Sequence, residues 1–157
     1  MNLRIVVADE RQANFFDVLN PNGPLTPRGS VQNSKAGMRD TDLETDRAGR
    51  RFGGASGVSH GSGPAQGHHH GVDGERSTER HDVELFAKEV AHRIDHARAQ
   101  NEFDKLMLVA PPKMLGLLRQ SLPATAQSFL AGEISKDLVQ HGPEAILRLI
   151  PPDAFFQ

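Results

Sequence analysis

The sequence predicts an α/β protein in which helices pack on a mixed sheet and one long Gly/His-rich loop interrupts the order. Three observations lead there. Two short apolar runs and a third strand-length segment, separated by polar or turn-forming residues, precede Gln32, helical and strand-like spacings alternate after Ser77, and the segment between them has neither period.

The first run, Leu3, Ile5, Val6 and Val7, is short and β-branched, as a buried strand requires, and the polar Asp9-Glu10-Arg11-Gln12 ends it. Ala13 to Leu19, with Phe15, Phe16 and Val18, follows at once, and so short a break fits a hairpin or a tight turn into a helix, of which the hairpin is preferred. Asn20-Pro21-Asn22-Gly23-Pro24 is dense turn chemistry, so the second strand stops there. Leu25 to Val31 then makes a third antiparallel strand, at an edge because Pro24 and Pro27 have no N–H to donate.

From Gln32 to Arg51 the chain is polar. Lys35, Arg39, Arg47, Arg50 and Arg51 oppose Asp40, Asp42, Glu44 and Asp46, so positive charge gathers only at the far end. Two readings stay open: a solvated loop, or a cluster of Arg47, Arg50 and Arg51 that contacts phosphate. The run from Gly49 to Gly74 holds nine of the chain's 15 glycines, and only Phe52, Val58 and Val72 offer it apolar anchors. Such a run cannot bury enough surface to offset the entropy of ordering it. It is expected to be mobile in the free protein, ordered by a partner, and the seat of function. The expected organisation is one domain over 1–157 with a flexible loop at about 32–77.

Ser77 or Thr78 suits a helix N-cap, with Glu79 and Asp82 in the first turn. Val83, Phe86, Ala87, Val90, Ile94 and Ala97 recur at helical spacing, which predicts an amphipathic helix from about Thr78 to Gln100, broken by Asn101-Glu102-Phe103-Asp104. Leu106, Met107, Leu108 and Val109 then form a continuous apolar run, the mark of a strand covered on both faces. Pro111 and Pro112 end it, and a proline in the first turn suits a helix from Pro112 to Leu122 that buries Met114, Leu115, Leu117, Leu118 and Leu122. Phe129 to Ile134 makes a last strand and Pro143 to Ile150 a closing helix.

Composition narrows the function. A net charge of -2 gives no global basic field, so any RNA contact must come from a local patch. The absence of cysteine excludes disulfides and thiolate metal sites, and the absence of Trp and Tyr removes the commonest interface anchors. The apolar run Ile5 to Ala8 is too short for a signal-peptide core, and no stretch approaches the roughly 18–20 apolar residues of a membrane span. A cytoplasmic protein with no membrane span is expected.

Histidine is the enriched catalytic type. His68, His69 and His70, with His60 nearby, could face a metal, but so glycine-rich a stretch fixes neither geometry nor supporting hydrogen bonds. An accidental run without a role, or stacking on RNA, suits them better. His92, His96 and Glu89 have metal-ligand spacing yet fall nearly opposite the apolar helix face, as solvated residues do. His81 near the helix start is read as capping or packing. Asp40, Asp42, Glu44 and Asp46 sit on no rigid element that would pair them for acid–base work. The glycine run contains no lysine, hence no phosphate-binding GxxxxGK[ST], and no strand leads directly into it, so no nucleotide cofactor is expected. No metal and no other cofactor is expected, and no Ser-His-Asp set sits on an elbow motif.

The segments IVVADERQANFFDVL, DTDLETDRAGRRF, ERHDVELFAKEVAHRI, FDKLMLVAPPKMLGLLRQSL and GEISKDLVQHGPEAI together resemble the bacterial family of proteins required for attachment to host cells, over nearly the whole chain. That family is similar in turn to the central domain of archaeal and eukaryotic class-I peptide release factors. The resemblance implies a single RNase H-like domain without the nuclease carboxylates. In release factors the loop between the early strands and the first long helix carries Gly-Gly-Gln into the ribosomal peptidyl-transferase centre, and a glycine-rich loop stands in the same place here. Gly53-Gly54 is followed by Ala55, and Gln66 is preceded by Pro64-Ala65, so the triplet is missing. What the resemblance then implies is a non-catalytic RNA-binding or ribosome-associated factor whose loop occupies an RNA cavity, as in ribosome hibernation or protection. Arg47, Arg50 and Arg51 are its expected phosphate contacts, and Gly53, Gly54, His60, Gln66, His68, His69 and His70 lie towards the loop tip. Ribosomal RNA or the ribosome is the expected partner. Two other classes stay open: a factor for attachment to host cells, and a hydrolase acting on RNA or an ester.

Overall fold

The computed structural model describes residues 1–35 and 70–155, the side chains of 70–76 excepted. The elements are β1 (Leu3–Ala8), β2 (Gln12–Val18), β3 (Thr26–Gln32), α1 (His70–Ala99), β4 (Lys105–Ala110), α2 (Pro112–Ser121), α3 (Ala124–Gln127), β5 (Leu130–Ser135), α4 (Pro143–Leu149) and a 3-10 turn (Pro152–Phe155). The strands form one five-stranded sheet in the order β3-β2-β1-β4-β5. β1, β2 and β3 pair antiparallel, whereas β4 is parallel to both β1 and β5, so the sheet is mixed, as the sequence predicts. The chain divides into two compact units, Met1–Asn33 with Val83–Gln157, and Ser34–Asp82.

The first unit contains the whole sheet. Side chains alternate across a strand, so Val6 and Ala8 of β1 join Ala13, Phe15, Leu106, Leu108 and Ala110 in one core. Phe86, Ala87, Val90, Ala91, Ile94 and Ala97 of α1, with Met114, Leu115 and Leu118 of α2, belong to the same core. Leu3, Ile5 and Val7 go to the opposite face, into a second core with Val18, Met107, Val109, Ile146, Ile150 and Phe155. Two-sided burial is why β1 and β4 read as unbroken apolar runs.

α1 ends by a defined device. Asn101 takes φ 58, its N–H donates to the Arg98 carbonyl at 2.9 Å, and that of Glu102 donates to the Ala97 carbonyl at 3.0 Å. This is the paired closure of a helix on a left-handed residue, a position that Asn tolerates. The start of the helix differs from expectation. It opens at His70, so Ser77 and Thr78 lie inside it rather than capping it. Adding turns to a helix already anchored by packing is far easier than starting one, and the two glycines Gly71 and Gly74 cost only about 1 kcal/mol each relative to Ala. α3 and the 3-10 turn, too short to show a period, were not anticipated. In the second unit Ser34 and Lys35 are helical, and Lys35 Nζ lies 3.9 Å from Asp82 Oδ1.

β3 occupies the predicted edge. Its register against β2 slips between Phe15 and Phe16, which pair with Gly29 and Pro27 and leave Arg28 as an extra residue. Gly29 adopts φ +115 there, and a Cβ would find no close atom, its nearest neighbour being Arg93 Nη2 at 3.5 Å. The obstacle to any other residue is thus backbone strain. Gly29→Ala is expected to lower the unfolding free energy by about 1–3 kcal/mol in a urea titration without changing its slope.

Candidate functional site

The carboxyl ends of β1, β4 and β5 meet at one end of the sheet. The residues that follow them, Asp9-Glu10-Arg11, Pro111-Pro112-Lys113-Met114 and Asp137, line a cleft of about 540 Å³. Crevices at this end of parallel strands, where neighbouring connections diverge, are where open α/β sheets take ligands. Asp9 builds one wall: its Oδ1 accepts the N–H groups of Arg11 at 2.7 Å and Gln12 at 2.8 Å. α2 forms another, opening on Pro112 without a side-chain cap.

Asn33 ties the end of β3 to this cleft. Its N–H donates to the Arg11 carbonyl at 2.7 Å, its Nδ2 donates to the Glu10 carbonyl at 3.0 Å, and it is buried. The glycine-rich segment is therefore continued from a residue latched to the β1–β2 turn. Sequence reasoning missed this latch, whose only local signal is a lone Asn just past a strand.

The opposite end is a buried ionic cluster. Arg4 and Asp17 face each other across β1 and β2 and are 4% and 3% exposed. The Arg4 guanidinium donates in parallel, Nε to Oδ1 and Nη2 to Oδ2 at 3.0 Å. Asp17 Oδ2 also accepts from Arg28 Nε at 2.9 Å and Asn2 Nδ2 at 3.1 Å, while Arg4 lies 5.3 Å from the Phe103 ring centroid and 3.4 Å from Glu102 Oε2. Burial pushes the Asp17 carboxyl up, but the hydrogen bonds from Arg4 and Asn2 and the charges of Arg4 and Arg28 outweigh it, leaving the carboxyl below its ordinary range. Burial likewise pulls Arg4 down, and Asp17 and Glu102 reverse that. These groups are spent on one another, so this end holds the fold together.

Of the sequence-predicted site residues, Arg47, Arg50, Arg51, Gly53, Gly54, His60, Gln66, His68 and His69 lie outside the described residues, as do Asp40, Asp42, Glu44 and Asp46. His70 opens α1 instead of belonging to the loop. His81, His92 and His96 are exposed, the last two as expected of solvated residues. Among the described residues no group of three or more His, Asp or Glu side chains could hold a metal, although Asp9, Glu10 and Asp137 share the cleft. Neither β1 nor β4 carries an acidic residue. Among the described residues no helix is long and apolar enough to cross a membrane.

A five-stranded mixed sheet with this pattern of helices is a release-factor-like α/β fold. It is similar to the crystal structure of the archaeal translation termination factor aRF1, with a TM-score of 0.52, 10% sequence identity, and coverage of 99% of this chain and 37% of that one. The chain belongs to the family described as "Protein required for attachment to host cells", which it matches over residues 4–150. It is also 35% identical over 66 residues to the uncharacterized protein RP470 of Rickettsia prowazekii (strain Madrid E), a stretch that makes up 41% of this chain and 44% of that protein.

Proposed function

We propose that the protein is a non-catalytic, RNA-binding and ribosome-associated factor of the cytoplasm, which places the Gly49–Gly74 segment in an RNA cavity such as the peptidyl-transferase centre. The observation that carries this reading is the likeness in fold to a translation termination factor over 99% of the chain, with the glycine-rich segment, up to His69, falling between β3 and the first long helix, whose first turns hold its last two glycines. Glycines allow close backbone approach to RNA, Arg47, Arg50 and Arg51 supply phosphate contacts, and His60, Gln66, His68, His69 and His70 supply hydrogen bonds or stacking. The missing Gly-Gly-Gln favours occupancy over peptide release, and hence ribosome protection or hibernation.

The test is co-sedimentation of the full chain with ribosomes from stationary-phase cells. The full chain is expected in the ribosomal pellet, and the variant lacking residues 53 to 72 is expected to stay in the supernatant. Equal pelleting of both would sink the reading. Recovery of the protein from the surface of intact cells, with none on ribosomes, would favour attachment to host cells, as the family description has it.

A further inference from the structure

At the end of the sheet that holds the ionic cluster, one cation has no counterpart. Lys105 opens β4, where its N–H donates to the Asn2 carbonyl at 3.2 Å. The residue as a whole is half-buried, but its Nζ is shut off from solvent and makes neither a hydrogen bond nor an ion pair among the described residues. Arg4 and Asp17, on the neighbouring strands, neutralise each other. An ammonium left in such a place costs free energy until an acceptor reaches it.

Strand alternation explains why the protein supplies none. Lys105 pairs with Leu3 and stands two residues before Met107, so its stem leaves on the side of the second core, to which Leu3 and Met107 belong. Arg4 and Asp17 leave on the other side, in phase with Val6 and Phe15. Of the other buried polar residues, Asn33 is at the far end of the sheet and Asp82 belongs to the second unit. Asp104, next in sequence, is exposed and turns its Oδ2 to the Asn2 N–H at 2.7 Å.

A cavity of about 370 Å³ adjoins the same residue. Asp104, Lys105, Ser128, Phe129, Leu130 and Ala131 line it, where β4 and β5 begin, and its volume is that of a small-molecule pocket. Its wall is held in place: the Leu106 N–H donates to the Phe129 carbonyl at 2.8 Å, and the Phe129 ring stands edge-on to Phe103 with centroids 5.9 Å apart. The Ser128 hydroxyl already donates to the Thr125 carbonyl at 2.6 Å. What remains for a ligand is an apolar wall with an ammonium that lacks an acceptor beside it.

We infer that this cavity takes a short aliphatic monocarboxylate, with its tail against Phe129, Leu130 and Ala131 and its carboxylate on Lys105. The flexible four-carbon stem of lysine lets Nζ turn from the interior to the cavity when an acceptor arrives. One ammonium neutralises one negative charge, so a phosphate dianion would bring a second, uncompensated charge beside Asp104. A cationic ligand would leave Nζ without an acceptor. The site lies at the opposite end of the sheet from the cleft of Asp9 and Pro111, and it does not depend on the RNA-binding reading.

Titration of butyrate into the ¹⁵N-labelled full chain, followed by amide NMR at constant ionic strength, tests it. Saturable shifts are expected at Leu106, Leu130 and Ala131. Affinity is expected to rise about fourfold for each methylene added from acetate to pentanoate, the usual worth of a buried CH₂. Lys105→Met, similar in length and uncharged, is expected to bind butyrate at least about tenfold more weakly, the worth of a hydrogen bond to a charged group, with the rest of the amide spectrum unchanged. Equal affinity in wild type and K105M would overturn the site. In the wild type alone, so would shifts that do not saturate, an affinity indifferent to tail length, or the same saturable shifts with chloride or phosphate.

Discussion

Asp17→Ala is expected to destabilise the protein by about 3–5 kcal/mol, read as a fall in the urea midpoint, because it strands the Arg4 charge in a site 4% exposed. The cost lies mainly in the buried charge, left with only the longer 3.4 Å contact to Glu102, and only partly in the lost attraction. Replacing Arg4 and Asp17 together by Leu and Val is accordingly expected to cost much less than either single change. The same pair sets a pH signature. The folded Asp17 carboxyl lies below its ordinary value, so the unfolded chain takes up the proton first as pH falls. The stabilisation is fully present above the ordinary Asp range near 3.9 and is lost as pH drops through the lower folded value. Urea titrations of the wild type should show this acid loss, and Asp17→Asn should lack this component.

Phe86→Ala is expected to cost about 3–5 kcal/mol, by lost transfer energy and by the cavity left between α1 and the sheet. Phe86 is 2% exposed and ranks among the largest fully buried side chains, in one core with Val90, Ile94, Leu106 and Leu108. Leu19→Ala, at a position 68% exposed, is expected to change stability by less than about 0.5 kcal/mol. Paired thermal and urea titrations of the two variants check the contrast, and similar losses in both would mean that this core does not hold the sheet.

What could be read from the chain is what local chemistry decides. The polar Asp9 to Gln12 break between two apolar runs gives the β1–β2 hairpin, and the unbroken Leu106 to Val109 gives a strand buried on both sides. Pro112 in a first turn gives α2, and Asn101 a helix end. The beginning of α1 was not legible, because a helix packed from Val83 onward extends over residues whose own preferences oppose it. The cleft was hidden for another reason: its walls come from Asp9, Pro111 and Asp137, which only parallel pairing brings together. Nor does helical periodicity reveal that the Arg93 guanidinium meets the Ser30 carbonyl, 63 residues away in sequence. The proposed loop contacts rest on residue type and chain position, the two properties that sequence supplies by itself.

Parallel pairing of β1 with β4 brings Asn2 to Asp104 across 102 residues, and the glycine-rich segment lies within that span. The entropy of closing a loop grows only with the logarithm of its length, about 0.6 kcal/mol for each doubling. The sheet is therefore nearly indifferent to how much chain is strung between Asn33 and Val83, provided those two attachments hold. Such a scaffold behaves as a cassette, in which the middle can be lengthened, trimmed or recoded for a different target while the sheet that carries it stays unchanged.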